Sequence, residues 1–203
     1  SISTQLQNTK QQLIGLFLGV PAITGLFSGF TKLAETAATV NARLKLAAES
    51  SQEFAQSQDD AQRIALNAGQ AYEAIAGLYS KLRVNAGLAA EDAAKLTEVI
   101  AQATQLDGGG AGAEAAVFQL QQGLAAGALR GEELNSVLEQ TPSLAKAIAD
   151  GLGVNIGQLR KIAEQGGLTA DVVKDALFKM QNQIESDFSK LPVTTSRAFQ
   201  NIR

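Results

Sequence analysis

The chain has 203 residues, enough for one domain with or without an appended segment, and only 3 of them are proline. Hydrophobic residues make up 45% and charged residues 18%, with a net charge of −3, which excludes global disorder and leaves no cationic excess for general nucleic-acid binding. Cysteine and histidine are both absent, so disulfides, Ser-His and Cys-His catalysis and most zinc sites are excluded together, and no catalytic, cofactor-binding or metal-binding residues are expected.

Ser1 stands where a start methionine would be and Met180 is the single methionine, which reads as a fragment or a processed product. The first distinct element is an uncharged run of 21 residues from Gln11 to Thr31, bracketed by Lys10 and Lys32. A bilayer crossing takes about 20 apolar residues at roughly 1.5 Å each, so the run is long enough. Pro21 interrupts it and is expected to end or kink a helix, because proline lacks a donor and clashes with the preceding turn. Gly15 and Gly19, then Gly25 and Gly29, repeat the small-xxx-small spacing that lets helices approach closely. A hairpin packed on its own domain or on copies of itself is the preferred reading, and host-membrane contact the alternative. The organisation expected is a hydrophobic helical segment over 1–34 and an all-α domain over 35–203.

From Leu33 to Asp59 an alanine-rich, weakly amphipathic helix is expected, with Val40, Leu44, Ala47 and Ala48 on its inner stripe; a further short helix follows over Ala61–Ala68. Tyr72, Ile75, Tyr79 and Leu82 recur at three- and four-residue steps, as one helix face requires, with Gly87 as the stop. Ala93, Leu96, Val99, Ile100 and Ala103 repeat the stripe in the next helix. The glycine-rich stretch Asp107–Gly112 lacks a preceding strand and a following Gly-Lys-Ser/Thr, so it reads as a connector rather than a phosphate cradle. Val117, Leu120 and Leu124 mark another helix ending near Gly127.

Punctuation sharpens between Leu129 and Phe188, where the tightest packing is expected. Glu132 and Glu133 favour a helix start, where the dipole is positive, with Leu134, Val137 and Leu138 as its buried face. Thr141-Pro142 reads as an N-cap followed by proline at N1, and Leu144, Ile148 and Leu152 line the helix that Gly151 and Gly153 close. Asn155 and Gln158 have capping-box spacing, Ile156, Leu159 and Ile162 face inward, and Gly166-Gly167 ends that helix. Thr169 opens the last, with Val173, Leu177, Met180, Ile184 and Phe188 inside. No alternating strand pattern appears, so the expected fold is all-α, a bundle of about eight to ten short helices.

The run Leu129-Arg130-Gly131-Glu132-Glu133-Leu134-Asn135-Ser136-Val137-Leu138-Glu139-Gln140 resembles the N-terminal region of tail tape measure proteins of tailed bacteriophages. The likeness continues through Pro142, Leu152-Gly153-Val154, Gly157 to Glu164 with Leu159 at its centre, and Leu168-Thr169 to Val173, with weaker landmarks at Asn41–Leu44, Tyr79–Leu82 and Leu191–Thr194. Thr141 departs from the alanine more usual at its place. The resemblance spans about residues 35 to 203. It implies a structural virion protein without enzymatic activity or cofactor, assembled in the host cytoplasm and lying in the tail lumen or at a tail end. The family's chains govern tail assembly and length, act as oligomers usually taken as three copies, and meet tail tube, tail tip and assembly chaperone proteins. Some assist genome ejection, which would give residues 11–31 a purpose. This stretch lacks a long rod, so length measurement is not expected to reside wholly here.

Two other readings compete with this one. Ala145–Ala163 has helix-turn-helix spacing, yet Gly131–Gly167 holds five acidic against three basic residues, too few cations to attract phosphates; sequence-specific nucleic acid is not an expected partner. A membrane-active or wall-degrading ejection enzyme would need two carboxylates facing one substrate. The adjacent pairs Asp59-Asp60, Glu91-Asp92 and Glu132-Glu133 diverge by about 100° on a helix, and each is expected near a helix start.

Overall fold

A computed structural model describes residues 38–192, and these form nine α-helices with no strand among them. The run 11–31, with Gly15, Gly19, Gly25, Gly29 and Pro21, lies outside the described residues, as does the expected boundary between 34 and 35. The helices are α1 (38–47), α2 (Ser51–Ala68), α3 (Tyr72–Val84), α4 (Ala90–Leu106), α5 (Gly110–Ala125), α6 (Gly131–Gln140), α7 (Pro142–Leu152), α8 (Ile156–Glu164) and α9 (Ala170–Ser189). The all-α expectation holds. Among the described residues no helix is long and apolar enough to cross a membrane.

The first correction concerns Leu33–Asp59. The described chain breaks at 48–50, not near residue 60. Ser50 is extended and its hydroxyl accepts the Glu53 N–H at 3.1 Å, while the Glu53 carboxylate accepts the Glu49 N–H at 2.9 Å. These bonds satisfy donors that a helix start leaves open, so α2 begins there. Nothing stops it at Asp59-Asp60, which lies in its middle, and Asp60 pairs with Arg63 one turn on at 3.3 Å. α2 ends at Gly69 in the left-handed region, where Gly69 and Gln70 donate back to Leu66 and Ala65.

α4 is the centre of the body, contacting α2, α3, α7 and α9. Its stripe Ala93, Leu96, Val99, Ile100 and Ala103 is fully buried, as read from sequence. Thr97 and Thr104 are buried too, and their hydroxyls donate to the Ala93 and Ala101 carbonyls, so neither is left unsatisfied. One continuous apolar core runs from Val40 through Ile75, Ile100, Leu129, Ile148 and Leu177 to Ile184.

Arg83 ties α3 to the start of α2. Its guanidinium donates to Glu53 at 2.5 Å, to Glu49 at 3.4 Å and to the Leu88 carbonyl at 2.6 Å. Burial disfavours its charge, but Glu53 outweighs that and holds the arginine's pKa up. The Glu53 carboxyl is held below its ordinary 4.5, first by the Glu49 N–H and further by Arg83, against an opposing effect of burial. A depressed carboxylate stabilises the fold fully above its unfolded value and loses that contribution as pH falls through the folded one. Glu53→Gln is therefore expected to lower the urea midpoint at neutral pH, with the gap to wild type closing on acidification below about 4.5. A gap independent of pH would remove Glu53 from this role.

Candidate functional site

The stretch that carries the family resemblance folds as a closed loop of helices, α6 to α8, pinned at both ends. The Leu129 N–H donates to the Leu168 carbonyl at 2.8 Å, beside an isolated antiparallel bridge between Ala128 and Thr169. Leu129 and Leu168 are both fully buried. Forty residues thus leave and return at one point, and in between α6 packs on α5 and α7 on α9.

Gly131 opens α6, Glu132 is exposed and Glu133 half-buried in its first turn, and Leu134 and Val137 bury beneath. Asn135 faces outward and its side-chain oxygen accepts a hydrogen bond from the Arg160 guanidinium of α8. Pro142 sits at N1 of α7, as expected, but Thr141 does not cap with its side chain. Its hydroxyl is wholly buried and donates to the Val137 carbonyl at 3.0 Å, so the threonine departure is accommodated as a back-bonded residue. The cap comes instead from Asp107, whose carboxylate accepts the Ser143 N–H at 3.0 Å and hydroxyl at 2.7 Å. An anion at a helix N-terminus is favoured by the dipole, and it anchors the glycine-rich loop to α7. That loop is shorter than expected: only Asp107–Gly109 connect, and Gly110–Gly112 belong to α5.

Gly153 closes α7 in the left-handed region, and the Val154 N–H returns to the Ala149 carbonyl at 3.0 Å. Gly151 does not close the helix; it is buried within α7, against the Ala176 backbone of α9. Asn155 and Gln158 form the capping box that their spacing promised, at 2.9 and 3.0 Å. Leu159 and Ala163 are buried, with Ile156 and Ile162 half-buried beside them. Thr169 caps α9 through the Val172 N–H at 3.4 Å.

Chemically the outer face is spare. The exposed positions of α8 include Gln158, Arg160, Lys161 and Glu164, and Arg160 is already engaged by Asn135. Glu91-Asp92 and Glu132-Glu133 lie in first turns, as expected, whereas Asp59-Asp60 does not. Asp92 pairs with Lys174 at 3.2 Å, joining α4 to α9, and that bond holds the lysine pKa up. Among the described residues no cluster of three or more metal-ligating side chains occurs. Sequence reading missed the Asp107–Ser143 and Asn135–Arg160 bonds, which join residues 36 and 25 positions apart.

A family model described as tape measure protein matches residues 28–203. No curated protein and no solved structure matches the chain significantly. That match covers most of the sequence, including all of the pinned α6–α8 unit: the chain belongs to the tape measure protein family and is a structural component of bacteriophage tails.

Proposed function

We propose that residues 40–192 act as a folded helical body of the tape measure protein, held in the tail lumen or at a tail end. There the body supports assembly while extended parts of the protein set the length. The observation that carries this reading is the return of the chain at Leu129–Leu168 onto a core shared by all the helices. The longest described helix, α9, has 20 residues and would span about 30 Å, so these residues are packed back on themselves rather than drawn out. The outward faces then serve as contacts for copies of the chain, three in the family's usual arrangement, and for tube, tip and chaperone proteins. Genome ejection would draw on residues 11–31, whose uncharged length suits entry into a host membrane. The reading asks no catalysis and no sequence-specific nucleic acid of the chain.

Deleting Leu129–Gly167 from the phage gene tests the role. The expected lysate contains heads with absent or malformed tails in electron micrographs. Normal infectious tails of unchanged length would overturn the reading.

A further inference from the structure

A cleft of about 560 Å³ opens between α3 and α5, and Arg43 of α1 borders it. Gly77 forms part of its wall, and a Cβ there would lie 4.0 Å from a guanidinium nitrogen of Arg43. Lys81 stands one turn further along the same face of α3, with its ammonium 4.5 Å over the Phe118 ring of α5. Two cations thus stand about a helical turn apart, and the glycine beneath Arg43 puts no side chain between them. Gln121 follows Phe118 by three residues on α5 and borders the same cleft. It is only 8% exposed, and its amide has no hydrogen-bond partner among the described residues.

Three other cations that join helices have carboxylate partners. Arg63 meets Asp60 and Glu98, Arg83 meets Glu53 and Glu49, and Lys174 meets Asp92. Arg43 and Lys81 form no ion pair among the described residues. Burial, and then the Arg43 charge beside it, push the Lys81 pKa down, and no carboxylate offsets them. Two like charges side by side, next to a buried amide with nothing to bond, are donors without an acceptor. What the place lacks is an anion. Its size is limited, because Glu73 stands one turn before Gly77, Glu114 one turn before Phe118, and both border the cleft. A polyanion laid along the cleft would meet those carboxylates, whereas a compact group between Arg43 and Lys81 need not.

We propose that Arg43, Lys81 and Gln121 form a binding site for a phosphate-class oxyanion, taken as free phosphate or as a small phosphate monoester. The Arg43 guanidinium supplies a planar pair of donors and the Lys81 ammonium a compact charge, the two kinds of cation that hold phosphate. The Gln121 amide NH₂ donates from the opposite wall. Two positive charges match a dianion, whereas a single carboxylate would leave one of them unmatched. The site lies outside the α6–α8 unit, so it stands or falls separately from the role in tail assembly.

The test uses the full chain in a phosphate-free buffer, with reductive methylation of its lysines read by mass spectrometry. Inorganic phosphate is expected to slow methylation of Lys81 about fivefold or more relative to chloride at equal ionic strength, because the bound oxyanion occupies the ammonium. Lys146, whose side chain is 71% exposed, is expected to keep its rate. Arg43→Gln and Gln121→Leu are each expected to raise the phosphate concentration for half-protection about tenfold, with helical circular dichroism unchanged. Either variant serves if the other fails to fold. Glycerol 3-phosphate protecting as well as inorganic phosphate would extend the site to monoesters, and protection by inorganic phosphate alone would confine it to the free ion; both results support the site. No slowing at Lys81, equal slowing at Lys146, or unchanged half-protection in the folded variants would overturn the proposal. So would acetate or duplex DNA protecting Lys81 as well as phosphate does, since the occupant would then be a carboxylate or a polyanion.

Discussion

Gly151→Ala is expected to destabilise the helical body by about 3 kcal/mol, although alanine is the better helix former by roughly 1 kcal/mol. A Cβ at Gly151 would come within 2.8 Å of the Ala176 Cα and nearer still to the Ala176 carbonyl carbon and oxygen. Those atoms are backbone of α9 and have no rotamer with which to step aside. Relief requires α7 and α9 to move apart, and that opens gaps around Ile148, Val173 and Leu177, which are all fully buried. Gly131→Ala is the matched control, because nothing lies within 4 Å of its added methyl and its φ is not positive. That variant is expected to stay within about 0.5 kcal/mol of wild type. Urea unfolding followed by circular dichroism compares the two. Equal midpoints for Gly151→Ala and wild type would mean that α7 and α9 do not cross at this glycine.

Leu129→Ala carries the second large effect. Leu129 is completely buried and stands at the point where the α6–α8 unit closes, with its backbone against Gly123 of α5. Truncation removes apolar burial and leaves a cavity, and it does so between segments pinned by the Leu129–Leu168 hydrogen bond, which limits collapse into the space. The expected cost is about 2–5 kcal/mol, a large share of the roughly 5–15 kcal/mol that holds a domain folded. Calorimetry is expected to show a fall in Tm of several degrees per variant copy, roughly 2–4 °C for each kcal/mol lost. Leu46→Ala, at a residue 81% exposed, is expected to leave the Tm within a degree or two. A Tm for Leu129→Ala equal to that of Leu46→Ala would remove Leu129 from the core.

The periodic parts of this fold were legible because local pattern and tertiary packing agree. Ile75, Tyr79 and Leu82 on α3 and the Ala93–Ala103 stripe on α4 are buried as their spacing demands. The Asn155–Gln158 box and the Gly153 stop are local chemistry, complete within a few residues, and can be read without knowing the fold. The start of α2 was readable in principle: Ser50 and Glu53 have capping-box spacing, but Asp59-Asp60 drew the boundary away because acidic residues also favour helix starts. Gly151 and Thr141 were misread for a different reason. A glycine near a helix end and a threonine before proline both have a common local use. At these two positions tertiary contact decides, through the Ala176 backbone and the buried Val137 carbonyl. The family was legible from Leu129–Val173.

Tail length measured by electron microscopy tests the central claim, that residues 40–192 are a folded body and not part of the ruler. The measurement uses phage whose chain carries a helix-forming insert of about 20 residues between Gly108 and Gly109, at a surface turn where added chain costs little. A drawn-out helix would lengthen by about 1.5 Å per inserted residue, or roughly 30 Å in all. The account predicts tails of unchanged length, with the insert standing out from the body. Tails longer by about 30 Å would contradict it and place these residues in the extended ruler.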